Sequence, residues 1–244
     1  MRLRALTASP NLQGLKPWRF FYFGLLLLGL LSPASAYADP PQSGPAKGRD
    51  YLEVPQFQPA GNTVQVIEFF WYACPNCYAL EPRLARWAAA LPADVTFRRV
   101  PAVPNAQWGV AARVYFTLEA LGEERRLRGA LFDAIHQQGL RITDEDAVQA
   151  WVALHGVNAR DYTAAYRSFA VENQLETAIR MTRDYGIPSL GVPTLLVGRY
   201  ITNADMTGSP RALLDMSDYL IGLARRDLQA SSSTTSPAPL SVPR

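Results

Sequence analysis

The two cysteines of this 244-residue chain, Cys74 and Cys77, are its only ones, and they stand where an apolar strand pattern turns into a helical one. Val64-Gln65-Val66-Ile67-Glu68-Phe69-Phe70 is β-branched and aromatic almost throughout, and the turn residues Gly61-Asn62 precede it. Such a continuous apolar run predicts a central strand buried on both faces. Pro75 suits the first position of a helix, where its missing N–H is not needed. Leu80, Leu84, Trp87 and Ala88 then recur at helical spacing, with Pro82 expected to kink the helix. Val95-Thr96-Phe97-Arg98-Arg99-Val100 reads as the next strand. The two strands and the helix between them make a βαβ unit, and both cysteines fall at its first strand-to-helix junction.

Downstream the pattern changes to helix throughout, with candidates at 106–121, 123–138, 144–155, 159–169 and 171–185. Gly122, Gly139 and Gly156 mark stops, and Thr143 is the expected N-cap of the third helix, with an acid three residues on. Strands return at Thr194-Leu195-Leu196-Val197 and Tyr200-Ile201-Thr202, joined by Gly198-Arg199 as a hairpin. A closing helix is predicted from Pro210 to Leu228, with Leu213, Leu214, Tyr219, Leu220 and Leu223 as its apolar stripe. The order is β-α-β, an all-helical insert, then β-β-α.

The N-terminus has the layout of an export signal. Cations at Arg2, Arg4, Lys16 and Arg19 precede an apolar run of 12 residues, Phe20–Leu31, followed by overlapping A-x-A patterns in Ser32–Ala38. The run is short of the roughly 20 residues that span a bilayer, which favours a cleaved signal, ending at Ala36 or Ala38, over an anchor. We therefore expect a signal peptide at 1–38 and a flexible Pro- and Gly-rich leader at 39–50. The first half of an α/β domain is expected at 51–104, the helical insertion at 105–186, the second half at 187–229 and a disordered tail at 230–244. The formal net charge is only +3, and several of the excess cations lie in the signal. No run of Lys or Arg could neutralise several phosphates, so a nucleic-acid partner is not expected.

Export changes how Cys74-Pro75-Asn76-Cys77 reads. Two cysteines scattered at random over such a length adopt this spacing roughly one time in a hundred. A structural disulfide this short would remove little unfolded-state entropy. A zinc site wants about four ligands, and neither His136 nor His155 stands at metal-ligand spacing. Inert thiols are uncommon in an oxidising compartment. Redox exchange fits best, because Cys74 at a helix N-cap meets free N–H groups and the positive end of the helix dipole. Its thiolate should be stabilised from ~8.5 into the roughly 3.5–7.5 range of activated cysteines. A stabilised thiolate favours the dithiol and makes the disulfide a stronger oxidant.

The stretch Val66–Glu81, with Trp71-Tyr72-Ala73-Cys74-Pro75-Asn76-Cys77 at its centre, closely resembles the active-site region of the DsbA family of periplasmic thiol:disulfide interchange proteins. Gly191-Val192-Pro193-Thr194 is similar to that family's cis-proline loop, and the resemblance runs over about residues 50–228. It implies a thioredoxin fold with an inserted all-helical domain. Carried onto this sequence, it makes Cys74 the exchanging sulfur, Cys77 its buried partner and Glu68 a buried acid beneath the disulfide that could relay the proton of Cys77. It makes Pro193 a cis proline packed against the disulfide, and gives Val192 backbone groups for an extended substrate. Many family members have His where this chain has Asn76. A cationic imidazole would help to hold the Cys74 thiolate, so Pro75-Asn76 should tune a less extreme thiol.

The expected function is donation of the Cys74–Cys77 disulfide to exported proteins with free thiols, with no cofactor besides that disulfide. The resemblance implies a membrane reoxidant of the DsbB type. A monomer is expected. A reductase or isomerase is the alternative, although periplasmic isomerases usually add an N-terminal dimerisation domain and only some 25 residues separate the signal from the first strand. A non-redox peptide-binding chaperone is the alternative outside enzymes. His136 and His155 read as packing or surface residues.

Overall fold

The structure is a computed structural model that describes residues 44–55 and 61–234. The expected signal and the first part of the leader lie outside the described residues. Strand β2 (Val64–Phe70) forms where its sequence predicts, with every side chain but Gln65 buried. It lies parallel to β3 (Val95–Pro101) and antiparallel to β4 (Thr194–Val197). β4 pairs antiparallel with β5 (Tyr200–Asn203), which pairs with the two-residue β1 (Leu52–Glu53), giving the order β1-β5-β4-β2-β3.

Alternation along the strands divides the core in two. Val64, Val66, Leu195 and Val197 pack with Leu80 and Leu84 of α1 (Pro75–Ala89) and with Leu213, Leu220 and Ile221 of α9 (Pro210–Thr234). Ile67, Phe69 and Leu196 face the other way, into a core shared with α2 (Ala106–Ala120), α3 (Glu124–Gln137) and α6 (Phe169–Asp184) through Leu118, Leu127, Leu131, Phe132 and Leu175. The helices between β3 and β4 thus complete one face of the sheet. The two smaller ones, α4 (Glu145–Leu154) and α5 (Ala159–Tyr166), add Val148, Val152 and Tyr162 to the same core. Every helix of the insert ends within about three residues of its predicted bounds. The hairpin turn is close-fitting. Gly198 has φ 57°, and a Cβ there would sit 2.9 Å from the Cβ of Ala224 on α9.

Several expectations are corrected. Asp144, not Thr143, caps α4, because its Oδ1 accepts the Ala147 N–H at 3.1 Å. The end of the leader, 44–50, is ordered as a turn: Asp50 Oδ2 accepts from the Ala46 N–H at 2.8 Å and Thr202 donates to the Asp50 carbonyl at 2.7 Å. Residues 230–234, expected in the tail, continue α9, and Ser231 donates back to the Asp227 carbonyl at 2.9 Å. Composition marked this segment as unable to bury a core, which a helical extension does not require. Pro82 lies inside α1, as its sequence position predicts. β1 and the one-turn helices α7 (Ile187–Leu190) and α8 (Ala204–Thr207) are too short to show a period.

Tyr162 is 1% exposed, and its hydroxyl is buried without a hydrogen-bond partner. An unmet buried hydroxyl costs roughly 1–3 kcal/mol. Tyr162→Phe should therefore leave the protein as stable or more stable in urea melts. A loss of stability would mean that the hydroxyl is satisfied after all.

Candidate active site

The strand-to-helix junction puts Cys74 at the N-cap of α1, with extended backbone (φ −84°, ψ 117°) and Pro75 directly behind it. The Cys77 N–H donates to Cys74 Sγ at 3.3 Å, so a sulfur meets one of the free amides at the helix start. The Cys74 N–H donates to the Trp71 carbonyl at 3.0 Å, closing a turn over 71–74. Both cysteines are free thiols and both are buried, Cys74 at 8% exposure and Cys77 at 1%.

Their environments push the two sulfurs apart. The Cys77 side chain hydrogen-bonds Cys74 and, with the backbone N–H groups of Cys77 and Asn76, outweighs burial and brings the Cys74 thiol down to about 7. Cys77 is pushed well up, first by burial, then by the Cys74 side chain and charge and by the charge of Glu68. Asn76 itself is exposed, and its contribution comes through the backbone. Opposite Cys74 lies the loop before β4. The Val192–Pro193 bond is cis, Pro193 is buried, and the Cys74 thiol donates to the Val192 carbonyl at 3.4 Å across 118 residues of sequence. Two side chains hold this loop. Thr194 donates to the Gly191 carbonyl at 2.8 Å, and Asn203 donates to the Leu190 carbonyl at 2.6 Å.

Glu68 is 2% exposed, in the middle of the buried strand. It receives Arg99 Nε at 2.7 Å, and Arg99 Nη2 reaches both oxygens of Glu81 at 3.2 and 3.0 Å. Arg128 lies 3.6 Å from Glu81 and pairs with Glu124, which accepts the Tyr72 hydroxyl at 3.0 Å. The chain of charges thus runs from Glu68 at the sheet to the insert. Three carboxylates share two guanidinium groups, and burial raises Glu68 to about 7 against the pull of Arg99. Sequence reasoning found Glu68 but missed Arg99, Glu81, Arg128, Glu124 and Tyr72. Only a cation in a strand, Arg99, hinted at a buried pair. His155 is a packing residue whose Nδ1 meets the Trp151 carbonyl at 2.8 Å; His136 stacks on Tyr78 with ring centroids 4.6 Å apart and also meets the Tyr72 carbonyl through Nε2 at 2.8 Å.

A thiol pair with one stabilised and one destabilised thiolate, beside a cis-proline carbonyl, is a thiol–disulfide exchange site. The sequence matches the family described as DSBA-like thioredoxin domain over residues 83–213. The thiol:disulfide interchange protein DsbA of Azotobacter vinelandii is 39% identical over 177 residues, covering 71% of this chain and 82% of that one. The chain belongs to the DsbA family. The DsbA of Pseudomonas aeruginosa is 36% identical over 203 residues, 81% of this chain and 94% of that one. Its crystal structure superposes with a TM-score of 0.71 at 34% identity, over 75% of this chain and 96% of that one. The oxidoreductase DsbA of Xylella fastidiosa superposes at 0.69 with 31% identity, over 75% and 98%. This DsbA-family chain is accordingly a thiol–disulfide oxidoreductase with a thioredoxin-like fold.

Glu68 gives a pH signature. Its folded value of about 7 lies above the ordinary 4.5, so the folded state holds the proton more tightly than the unfolded one. Its contribution to stability is full below about 4.5 and is lost as the pH rises through about 7. Glu68→Gln should flatten the fall in stability over that window by up to about 3 kcal/mol in urea melts. Parallel wild-type and mutant pH curves would contradict the assignment. Alkylation of Cys74 should follow a titration with midpoint about 7 while Cys77 stays protected. Asn76→His should lower that midpoint by adding a cation next to the thiolate, and an unchanged or higher value would rule this out.

Proposed function

We propose that the chain donates the Cys74–Cys77 disulfide to exported thiol proteins in the periplasm, as a monomer and with no cofactor besides that disulfide. A substrate thiolate attacks Cys74 Sγ. A substrate–Cys74 disulfide forms, the Cys74–Cys77 bond breaks, and Cys77 leaves with the electron pair and takes up a proton. A second substrate thiolate then attacks the substrate sulfur of the mixed disulfide. The substrate leaves with a disulfide and the Cys74 thiolate is released, so two electrons have passed from substrate to enzyme. A membrane reoxidant of the DsbB type would take them on.

The asymmetry of the two sulfurs carries this reading. A Cys74 thiolate stabilised at the helix start favours the reduced protein, which makes the disulfide oxidising. Burial of Cys77 leaves Cys74 as the sulfur a protein substrate can reach. The charge of Glu68 raises Cys77, and burial brings Glu68 itself to about 7, the range in which a buried acid relaying the Cys77 proton would work. The Val192 carbonyl, 3.4 Å from Cys74 Sγ, is placed to accept an N–H from an extended substrate strand.

Equilibration against glutathione should return a potential well above that of cytosolic thioredoxins; a thioredoxin-like value would instead mark a reductase. Cys77→Ser should accumulate mixed disulfides at Cys74 with disulfide-bonded proteins, whose S–S bond Cys74 opens and no Cys77 remains to resolve, and Cys74→Ala should abolish oxidation. Retained non-redox refolding activity in Cys74→Ala would point to a chaperone.

A further inference from the structure

Helix α3 grips the redox motif on both sides. Tyr72, two residues before Cys74, is held at its hydroxyl by Glu124 at 3.0 Å and at its carbonyl by His136 Nε2 at 2.8 Å. Tyr78, the residue after Cys77, donates its hydroxyl to Asp133 at 2.7 Å and accepts from Gln137 at 3.3 Å. The Tyr78 ring lies parallel to that of His136, within 2°. His136 therefore takes part in both grips, with a hydrogen bond on one side and a stacked ring on the other.

The bond to Tyr72 has a particular consequence. Residues Trp71 to Cys74 form a turn closed by the Cys74 N–H on the Trp71 carbonyl. The peptide unit between Tyr72 and Ala73 is the middle of that turn, and its flip is what separates the two commonest turn types. A carbonyl can only accept, so the Nε2 that faces it carries the hydrogen, and this bond fixes the middle peptide in one orientation. Cys74 ends the turn and caps α1, so the same orientation decides how Sγ lies against the Cys77 N–H and the Val192 carbonyl.

We propose that His136 is a positioning residue of the exchange reaction: its Nε2–H bond to the Tyr72 carbonyl holds the turn that presents Cys74. The proposal rests on Cys74 as the exchanging sulfur. The ring stacking on Tyr78 contributes packing and is separable from it.

His136→Gln and His136→Leu are similar in size and both lack the stacked ring, but only Gln can donate to a carbonyl. His136→Phe keeps a ring over Tyr78 and donates nothing. The readouts are the rate of disulfide transfer to a cysteine-containing peptide and the thiolate absorbance titration of Cys74, with urea midpoints recorded alongside. A net hydrogen bond of about 1 kcal/mol corresponds to about a five-fold change. The Leu and Phe proteins should transfer about five-fold more slowly than wild type, with the Cys74 titration moved upward, and Gln should restore both to within about two-fold of wild type. Wild-type rates in the Leu and Phe proteins, or a Gln protein as slow as Leu, would overturn the proposal. If Phe is not accommodated, the Gln–Leu pair decides alone. Cys74→Ser serves as control: transfer persisting there would reject Cys74 itself, whereas a failure confined to the His136 variants rejects only the positioning role.

Discussion

The start of a helix leaves amide groups that need acceptors, and here one of those acceptors is a sulfur. Cys74 Sγ receives the Cys77 N–H at the first turn of α1, where the helix dipole also favours negative charge. Cys74 is fixed there because β2 is locked in the sheet on both edges and covered on both faces, so the chain leaves it along one path. The turn over 71–74 then delivers the sulfur to the helix start, opposite the cis-proline loop. The distinction between the two thiols follows from this placement. The first sulfur sits at the mouth of the helix and the second one turn deeper, in the core.

The depth that disfavours a Cys77 thiolate also makes Glu68 an expensive residue to bury. A carboxylate in a strand covered on both faces requires a partner, and Arg99, directly across the β2–β3 register, supplies it. Arg99 in turn is shared with Glu81 of α1, and Arg128 of α3 connects Glu81 to Glu124. The result is a polar seam that ties β2, β3, α1 and α3 together under the redox motif. Burial, helped by the neighbouring charge of Glu81, raises Glu68 to about 7 against the pull of Arg99.

The insert is more than a cover. Its helices complete the core on one face of the sheet, where Phe70 and Tyr72 pack against Phe132 of α3 with ring centroids 6.3 and 5.0 Å apart. The same helix holds the residues on either side of the cysteines through Glu124, Asp133, His136 and Gln137. A shift of α3 would therefore be felt at the Cys74 turn, since packing and hydrogen bonds join the two without a mobile linker between them.

Local pattern determined much of this protein from sequence alone. The apolar run of β2, Pro75 at the helix start and the spacing of Cys74 and Cys77 placed the reactive pair at a strand-to-helix junction. Periodicity and glycine stops located the insert helices to within a few residues. These features act over one or two turns of chain, so the residues concerned carry them whatever lies around. Tertiary structure decided the rest. Val192 comes against Cys74 from 118 residues away. Glu68 was legible as a candidate acid, but its partners Arg99, Glu81 and Arg128 come from a neighbouring strand and two helices, and the charges of surface ion pairs look no different in a sequence. The Tyr72 carbonyl, common to every residue, becomes a docking point only because α3 brings His136 to it. Burial and long-range pairing create these properties, and both exist only once the chain is folded.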